Sequence, residues 1–295
     1  MPKAKLIGYT TLAALLLGSA SMPGVTAQPP APAPEMPTEN SVYPTTHGPE
    51  AMTVYRPEGR DESGQPRAGL IFVHGGAWVR GDRSLLDNAA HTAAQRGFVV
   101  FGIDYDLSAP RDPREYQDVE AAITHIRTYA ADYGVDPDRL GGLGTSAGAH
   151  LLMQAVITDG APLAAVVGWS GPYDLTDSAI PRASLMSAAA AITYLGCVPG
   201  TADCTQRARA ASPALHTSAG NPPVMLFNSS DELMPVEQMT EFAARLRADG
   251  TPVDTRVLPG KRHAVAYSDE ALDPTLDFLS AQLQVSDSGR DTSGH

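Results

Sequence analysis

The sequence predicts an α/β fold built on a mostly parallel, doubly wound sheet. Short apolar runs alternate with segments of helical spacing along most of the chain. One run, Gly69–His74, is apolar up to its final histidine, as expected for a strand that is buried on both faces. Strands that alternate with helices of this length form parallel βαβ units, and functional groups of such sheets lie at the carboxyl ends of the strands.

The N-terminal half supplies the first strands and helices of this sheet. Helical spacing that ends at Gly97, a C-capping residue, predicts one helix, and an apolar stripe through Val119 and Ile123 predicts a second. The predicted strands are Thr53–Arg56, Gly69–His74 and Phe98–Ile103, and the predicted helices are Ser84–Arg96 and Tyr116–Tyr133.

The C-terminal half continues the alternation after one interruption. A strand leads into Ser146. The strands predicted after it are Leu163–Trp169, Val224–Asn228 and Val253–Leu258, and the helices are Ala147–Val156, Val236–Arg247 and Ala271–Leu283. Residues 171–221 break the pattern and contain one short helical piece near Arg182–Tyr194. We therefore expect a small cap, inserted over the mouth of a site at the sheet edge.

The two ends of the chain are predicted to lie outside the folded domain, which leaves residues 51–284 for the domain itself. Residues 1–27 combine two lysines, a short apolar run and small residues before Gln28, the pattern of a cleaved secretory signal peptide. An uncleaved leader that anchors the chain is the alternative. Residues 28–50, rich in Pro, Ala and Thr, are predicted to be a linker, and residues 285–295 a flexible tail. We expect a secreted protein with no stable membrane insertion after cleavage.

Charge and cysteine content narrow the class of protein. The net charge of −12 argues against nucleic acid or an anionic membrane as a partner. Cys197 and Cys204, separated by a Pro-Gly-containing loop, are predicted to form a disulfide in an exported chain, with two free thiols as the alternative. No histidine lies within this segment, and no metal or organic cofactor is expected.

Ser146 is the candidate nucleophile. It stands in Gly-Thr-Ser-Ala-Gly, between a predicted strand and a predicted helix, which is the context of a nucleophile elbow. Gly144 and Gly148 flank it because side chains at these positions would crowd the tight crossing of strand and helix.

A second glycine-rich loop, His-Gly-Gly-Ala-Trp at residues 74–78, follows the buried strand. Successive glycines let backbone N–H groups turn toward a ligand, where two such donors stabilise the negative oxygen of a tetrahedral intermediate. The amides of Gly75, Gly76 and Ala77, together with that of Ala147 after the nucleophile, are the predicted oxyanion hole.

These motifs resemble those of the α/β-hydrolase fold esterases of the hormone-sensitive-lipase and carboxylesterase type. The resemblance rests on His-Gly-Gly-Ala-Trp, on Asp-Tyr-Asp-Leu-Ser-Ala-Pro at residues 104–110 and on Gly-Thr-Ser-Ala-Gly, and it extends from about Met52 to Leu283. Three positions depart from the family pattern: Ala77 and Ala149 stand where glycine is common, and Asp106 where arginine is frequent. The loop also resembles that of secreted feruloyl or xylan esterases and of arylformamidases.

Hydrolases of this kind carry their triad in the order Ser, acid, His. His263, in Leu-Pro-Gly-Lys-Arg-His after the last predicted strand, is the expected general base. Asp231 follows the strand Val224–Asn228 and is the predicted acid that orients the imidazole. Glu232 is its rival, and Asp174 is a weaker one that is expected to cap a loop.

The sequence thus predicts an exported serine hydrolase that cleaves short-chain or polysaccharide-linked carboxylic esters through an acyl-enzyme. Three aromatic side chains on loops after strands are candidates for the substrate pocket, with core packing as the alternative: Trp78, Tyr105 and Tyr173. An amidase or peptidase on the same triad and a non-catalytic binding module on the same fold are the competing hypotheses.

Overall fold

The computed structural model describes residues 38–58, 64–108, 114–176 and 184–285. The predicted signal peptide, residues 28–37 of the predicted linker and nearly all of the predicted tail lie outside these ranges. The described residues belong to one compact unit, Met36–His295.

An eight-stranded sheet forms the centre of the molecule, with the strand order β1-β2-β4-β3-β5-β6-β7-β8. Strands β1 and β2 pair antiparallel with each other, β2 pairs antiparallel with β4, and the remaining neighbours are parallel. The strands are β1 (Thr38–Thr45), β2 (Gly48–Tyr55), β3 (Arg67–Val73), β4 (Val99–Ile103), β5 (Val135–Thr145), β6 (Ala165–Trp169), β7 (Val224–Ser229) and β8 (Val253–Leu258).

Helices cover both faces of the sheet, as the doubly wound prediction requires. Buried side chains of α1 and α8 pack on one face, and those of α2, α4 and α7 pack on the other. The helices are α1 (Asp87–Gln95), α2 (Arg114–Thr128), α3 (Ala130–Tyr133), α4 (Ala147–Met153), α5 (Leu185–Leu195), α6 (Ala202–Ala210), α7 (Val236–Ala248) and α8 (Ser268–Gln282). Within the described ranges no helix has the length and apolar character needed to cross a bilayer.

The predicted linker ends earlier than expected, because Thr38–Thr45 forms the edge strand β1. Its backbone pairs with β2 along its whole length, from Thr38 opposite Tyr55 to Thr45 opposite Gly48. The composition of this segment is polar, but Tyr43 is fully buried and its hydroxyl donates a hydrogen bond of 2.5 Å to the Asp104 carbonyl oxygen. The boundary at residue 50 was therefore wrong: one buried aromatic and a long-range strand pairing order a segment that composition alone assigns to a linker.

The interruption after β6 is present, and its described residues contain two α-helices, whereas the sequence predicted one. Helix α5 begins after the N-cap Ser184, and its C-terminus is capped by Gly196, which has left-handed backbone angles. Helix α6 was missed, although Thr201 caps its N-terminus by accepting a hydrogen bond from the Cys204 amide. The predicted disulfide between Cys197 and Cys204 is formed and joins the end of α5 to the first turn of α6.

Candidate active site

Ser146 lies on a sharp turn between the end of β5 and the start of α4. Its backbone has φ 51° and ψ −119°, a conformation that residues other than glycine rarely adopt. A Cβ at Gly144 would lie 2.4 Å from the Gly148 carbonyl oxygen, and one at Gly148 would lie 2.2 Å from that of Val73. The predicted steric role of both glycines is confirmed, and the turn presents the Ser146 hydroxyl at the carboxyl edge of the sheet.

The structure brings His263 to this hydroxyl, as predicted. His263 follows β8, and its Nε2 atom lies 2.9 Å from Ser146 Oγ. Its Nδ1 atom makes a short hydrogen bond to Glu232 Oε2. A neutral imidazole with its proton on Nδ1 satisfies both contacts, because Nδ1–H then donates to the carboxylate while Nε2 accepts from the serine.

The acid that contacts His263 is Glu232, so the prediction of Asp231 was wrong. The Glu232 side chain has no exposed surface, and its Oε1 atom accepts a 2.7 Å hydrogen bond from the Ser229 amide. The Asp231 side chain is 72% exposed, and its carboxylate pairs with Lys261 Nζ at 3.2 Å. Asp231 N–H donates to the Gly260 carbonyl, which ties this residue to the neighbouring loop while its side chain faces solvent.

Asp174, the weaker rival, has the structural role expected for it. Its Oδ1 atom accepts hydrogen bonds from the Thr176 amide at 2.9 Å and from the Thr176 hydroxyl at 2.6 Å. These two bonds close a turn after β6. Asp174 lines the pocket described below, but Glu232 is the carboxylate bonded to His263.

The four predicted oxyanion residues lie beside Ser146 and line the same pocket. A Cβ at Gly75 would meet the Ser146 Cβ at 3.0 Å, so the glycine loop contacts the nucleophile turn directly. Gly76 has φ 139° and Ala77 has φ 56°, angles that redirect the backbone amides of this loop. Ala147 is the first residue of α4, where an N–H group has no partner within the helix. Donation by these amides to a substrate oxygen stays a prediction.

A buried pair of rings supports the glycine loop from behind. His74 stacks on Tyr105 with 4.4 Å between ring centroids, and its Nδ1 is 2.7 Å from the Gly75 carbonyl oxygen. Burial lowers the pKa of His74, so the neutral ring donates its Nδ1 proton to this carbonyl. The Tyr105 hydroxyl donates to the His74 carbonyl at 3.2 Å. Tyr105 therefore fixes the loop and is not part of the pocket wall.

Of the three predicted pocket aromatics, only Trp78 lines the pocket. Its ring stacks on Tyr194 at 4.8 Å, and its Nε1–H donates to His150 Nδ1 at 3.2 Å. Tyr173 is fully buried and stacks on Phe242 at 4.6 Å. The predictions for Tyr105 and Tyr173 were wrong, because both rings turn inward to fill core space beneath the loops that carry them.

The pocket at Ser146 has a volume of about 250 Å³ and a mostly apolar wall. Helix α5 of the inserted segment supplies part of this wall, which makes the segment a cap over the site, as predicted. Apolar lining residues include Trp78, Leu85, Leu175, Met186, Ala191, Leu233, Met234 and Val265.

Comparison with known sequences agrees with this arrangement. The family model BD-FAE matches residues 52–246, which include the glycine loop, the serine turn and Glu232. The chain belongs to the BD-FAE family. It is 33% identical over 231 residues to the esterase LipC of Mycobacterium tuberculosis, and the match covers 72% of this chain and 56% of LipC. It is 31% identical over 218 residues to the probable carboxylic ester hydrolase LipM of the same organism, with 66% and 48% covered. The chain thus spans about half the length of these curated relatives.

Solved structures of α/β-hydrolase esterases share the fold. Esterase 2 of Thermogutta terrifontis superposes with a TM-score of 0.71 at 22% identity, covering 87% of this chain and 96% of that one. The carboxylesterase EstE1 from a metagenomic library superposes with a TM-score of 0.74 at 22% identity, covering 85% and 91%. The predicted α/β-hydrolase fold is confirmed for this BD-FAE family member.

This BD-FAE family member also has a second histidine–carboxylate cluster, which does not line the pocket. His47, in the turn between β1 and β2, lies with Glu50 and Asp118 in a group whose ligand atoms fall within 4.8 Å of one another. His47 Nε2 is 2.8 Å from Asp118 Oδ1. These are residue types that can hold a divalent cation, and the Glu50 and Asp118 carboxylates lie 3.9 and 2.8 Å from the two imidazole nitrogens.

Sequence reasoning placed one residue of this site second and missed the contribution of a helix. Glu232 was named only as the rival of Asp231, and local spacing does not separate these two neighbouring carboxylates. The sequence indicated the contribution of α5 to the pocket only through the length of the interruption after β6. Both depend on how loops fold back over the sheet, which local spacing does not encode.

Proposed function

We propose that this protein is a serine hydrolase that cleaves carboxylic esters through an acyl-enzyme. One observation carries the proposal: the chain of hydrogen bonds from Ser146 Oγ through His263 to Glu232 at the wall of an apolar pocket. A hydroxyl, a neutral imidazole and a buried carboxylate in this order are the groups that acyl transfer requires. The names of the curated relatives, esterases and a probable carboxylic ester hydrolase, support the same activity.

In the first half of the reaction, Ser146 Oγ attacks the ester carbonyl carbon while its proton moves to His263 Nε2. The carbonyl electron pair moves onto the carbonyl oxygen, which faces the amides of Gly76, Ala77 and Ala147. One such donor contributes about 10²–10³ to the rate. When the intermediate collapses, His263 returns the proton to the leaving oxygen, so the alcohol departs and the acyl group stays on the serine.

In the second half, water takes the place of the alcohol. It attacks the acyl carbon as one of its protons moves to His263 Nε2, and collapse then returns that proton to Ser146 Oγ. The products are the carboxylic acid and the free serine. Throughout, Glu232 holds the imidazole by its Nδ1 proton and balances the positive charge that the ring gains after each transfer.

We propose short-chain or polysaccharide-linked acyl esters as the substrates. The pocket volume of about 250 Å³ and its apolar wall support a compact acyl group at Ser146. The test is turnover of p-nitrophenyl esters from acetate to palmitate by the purified chain, beside matched p-nitroanilides. We expect turnover that is highest on the short esters. Turnover of the anilides alone would reject the esterase proposal for an amidase, and inertness on every compound would reject both.

We also propose that the chain is exported. The lysines, apolar run and small residues of positions 1–27 support a cleaved leader, and the Cys197–Cys204 disulfide supports an oxidising compartment. Mass analysis of the protein recovered from the culture medium is expected to give a mature chain that begins near Gln28. A full-length chain found only inside the cell would contradict export.

A further inference from the structure

Ser170, the residue directly after β6, has a role in this site that neither its sequence context nor the triad motif assigns. It is fully buried, and its backbone has the left-handed value φ 53°. Its amide donates a 2.9 Å hydrogen bond to the Phe227 carbonyl, so the backbone at this point is fixed between β6 and β7. Residues other than glycine keep such angles only where the surrounding structure holds them there.

The Ser170 hydroxyl contacts both the acid and the backbone beside the base. Its Oγ atom lies 2.8 Å from Glu232 Oε1 and 3.0 Å from the amide nitrogen of Ala264, the residue after His263. A third contact joins it to the Tyr267 hydroxyl at 2.7 Å. One hydroxyl therefore connects the loop after β7, which carries Glu232, to the loop after β8, which carries His263.

Donor and acceptor counting fixes the direction of each bond. A hydroxyl has one proton and two lone pairs, and an ionised carboxylate only accepts. Ser170 therefore donates to Glu232 and accepts from the Ala264 N–H and from the Tyr267 O–H, whose proton is shared with the Phe227 carbonyl oxygen at the longer distance of 3.3 Å. Burial raises the pKa of Tyr267, so its phenol keeps the proton that it donates. Every hydrogen-bonding position of the Ser170 hydroxyl is used.

We propose that Ser170 is a positioning residue that sets the geometry and the proton affinity of the Glu232–His263 pair; this proposal rests on the proposed function. The carboxylate has two donors besides the imidazole, the Ser170 hydroxyl and the Ser229 amide. Hydrogen bonds to the charged form of an acid favour that form. Removal of the hydroxyl leaves more of the carboxylate charge to act on the imidazole, so the imidazolium is stabilised and His263 keeps its proton to a higher pH.

The test compares Ser170→Ala with Ser212→Ala in the full chain. Ser212 is a fully buried serine whose hydroxyl donates to the Ala208 carbonyl and accepts from the Leu175 amide, and neither contact involves Glu232 or His263. Both variants lose a fully buried hydroxyl, so Ser212→Ala controls for the loss of buried hydrogen bonds in general. We expect only Ser170→Ala to shift the acidic limb of kcat/KM to higher pH, with a fall of about 10- to 100-fold near neutral pH.

Two readouts require no ester turnover. One is the pH dependence of Ser146 labelling by a fluorophosphonate probe, and the other is the downfield proton signal of the His263–Glu232 hydrogen bond. The charged residues beside the pair are Asp231, Lys261 and Arg262, which form ion pairs at the surface and are the same in every variant. Burial raises the pKa of the neighbouring phenols of Tyr173 and Tyr267. A difference in the acidic limb between variants therefore reports a change in the Glu232–His263 pair. If the wild-type protein does not turn over esters, the proposed function is rejected. The acidic limb of the pH profile of Ser146 labelling still tests the role of Ser170 in that case.

A third variant keeps the proposal testable if Ser170→Ala folds poorly. Ser170→Gly removes the same hydroxyl but suits the φ of 53°. We expect it to shift the labelling limb in the same direction while its Tm stays near that of the wild type. The proposal is wrong if the acidic limb of the pH profile is unshifted in both Ser170 variants. It is also wrong if that limb shifts equally in Ser170→Ala and Ser212→Ala.

Discussion

Two histidines of this protein each hydrogen-bond a buried carboxylate, but their surroundings differ. His263 has Glu232 at one ring nitrogen and the Ser146 hydroxyl at the other. His47 has Asp118 and the Thr45 hydroxyl at Nε2, at 2.8 and 3.1 Å, and Glu50 and Asp106 at Nδ1, each at 3.9 Å. The Ser146 hydroxyl faces the ring nitrogen opposite Glu232, so His263 can take its proton while the acid balances the charge. The Thr45 hydroxyl instead shares a ring nitrogen with Asp118 and donates its own proton to the Gly48 carbonyl. The placement of the hydroxyl, rather than the histidine–carboxylate contact itself, distinguishes the proposed catalytic region from the His47 region.

The His47 region also contains Asp106, one of the positions that departs from the family resemblance. A negative residue at this position lies next to Asp118, whose Oδ2 atom accepts a hydrogen bond from the Asp106 amide. Burial opposes ionisation of Asp106, but hydrogen bonds from Ser108 and Arg114 bring its pKa down to about 2. The Arg114 guanidinium, 2.8 Å from Asp106 Oδ2, supplies a positive charge beside this carboxylate. The cluster joins the turn between β1 and β2 to helix α2.

The largest effect that tests this comparison is expected at Ser146, whose hydroxyl faces the His263 nitrogen opposite Glu232. Ser146→Ala is expected to lower kcat/KM for a short p-nitrophenyl ester by about 10⁴ or more, because the members of a triad act as a unit. The Tm of the variant, measured alongside, checks that it is folded. Residual activity within about tenfold of the wild type would place the nucleophile elsewhere.

The second-largest effect is expected from a variant that tests which of two neighbouring carboxylates is the acid of the triad. Glu232→Gln keeps the size of the side chain but removes the charge that balances the imidazolium, so kcat is expected to fall by about 10²–10⁴. Asp231→Asn is the matched control, because its carboxylate is exposed and pairs with Lys261. Its kcat is expected to stay within about twofold of the wild type, since exposed ion pairs contribute little. A larger loss for Asp231→Asn than for Glu232→Gln would restore the aspartate as the acid.

How far the sequence predicts this site can be seen from the same residues. Ser146 and His263 follow from motif and chain order, because the elbow and the loop after the last strand are local features. The choice between Asp231 and Glu232 depends on which side chain the loop after β7 turns inward, and spacing does not encode that. Strand β1 and the contacts of Ser170 depend on pairings between distant segments. Local periodicity predicted most strands of the sheet, and tertiary contacts decided the acid, the edge and the cap.

An intermediate effect is expected in the His47 region. His47→Ala removes the imidazole from a nearly fully buried Asp118, so we expect the free energy of unfolding to fall by about 1–3 kcal/mol. Urea unfolding gives this change. Because no bond of His47 reaches Ser146 or Glu232 in the described structure, kcat/KM at a permissive temperature is expected to stay within about twofold. A loss of turnover without a loss of stability would contradict the structural assignment.

The smallest effect concerns Glu120, which lies on α2 like Asp118 but has no imidazole beside it among the described residues. Burial, and then the charge of Asp159, raise the pKa of Glu120 from 4.5 to about 7. Between these values the folded state keeps a proton that the unfolded state has lost, so stability falls as the pH rises through this window.

Glu120→Gln removes this dependence. The Tm of the variant relative to the wild type is therefore expected to be higher at about pH 8 than at about pH 5. Thermal unfolding of both proteins at the two pH values measures the difference. A Tm difference that does not change with pH would show that Glu120 ionises normally in the folded protein.

The backbone at Ser146 has an evolutionary consequence. The left-handed turn that presents the hydroxyl costs a residue with a Cβ about 1–3 kcal/mol, and glycine would adopt the same angles with little penalty. Selection for folding alone would therefore replace this serine, and only selection for chemistry keeps it. A gene copy released from catalysis would drift toward glycine here and encode a more stable, inactive protein. Under the proposed function, this chain therefore keeps its nucleophile at a cost to its stability.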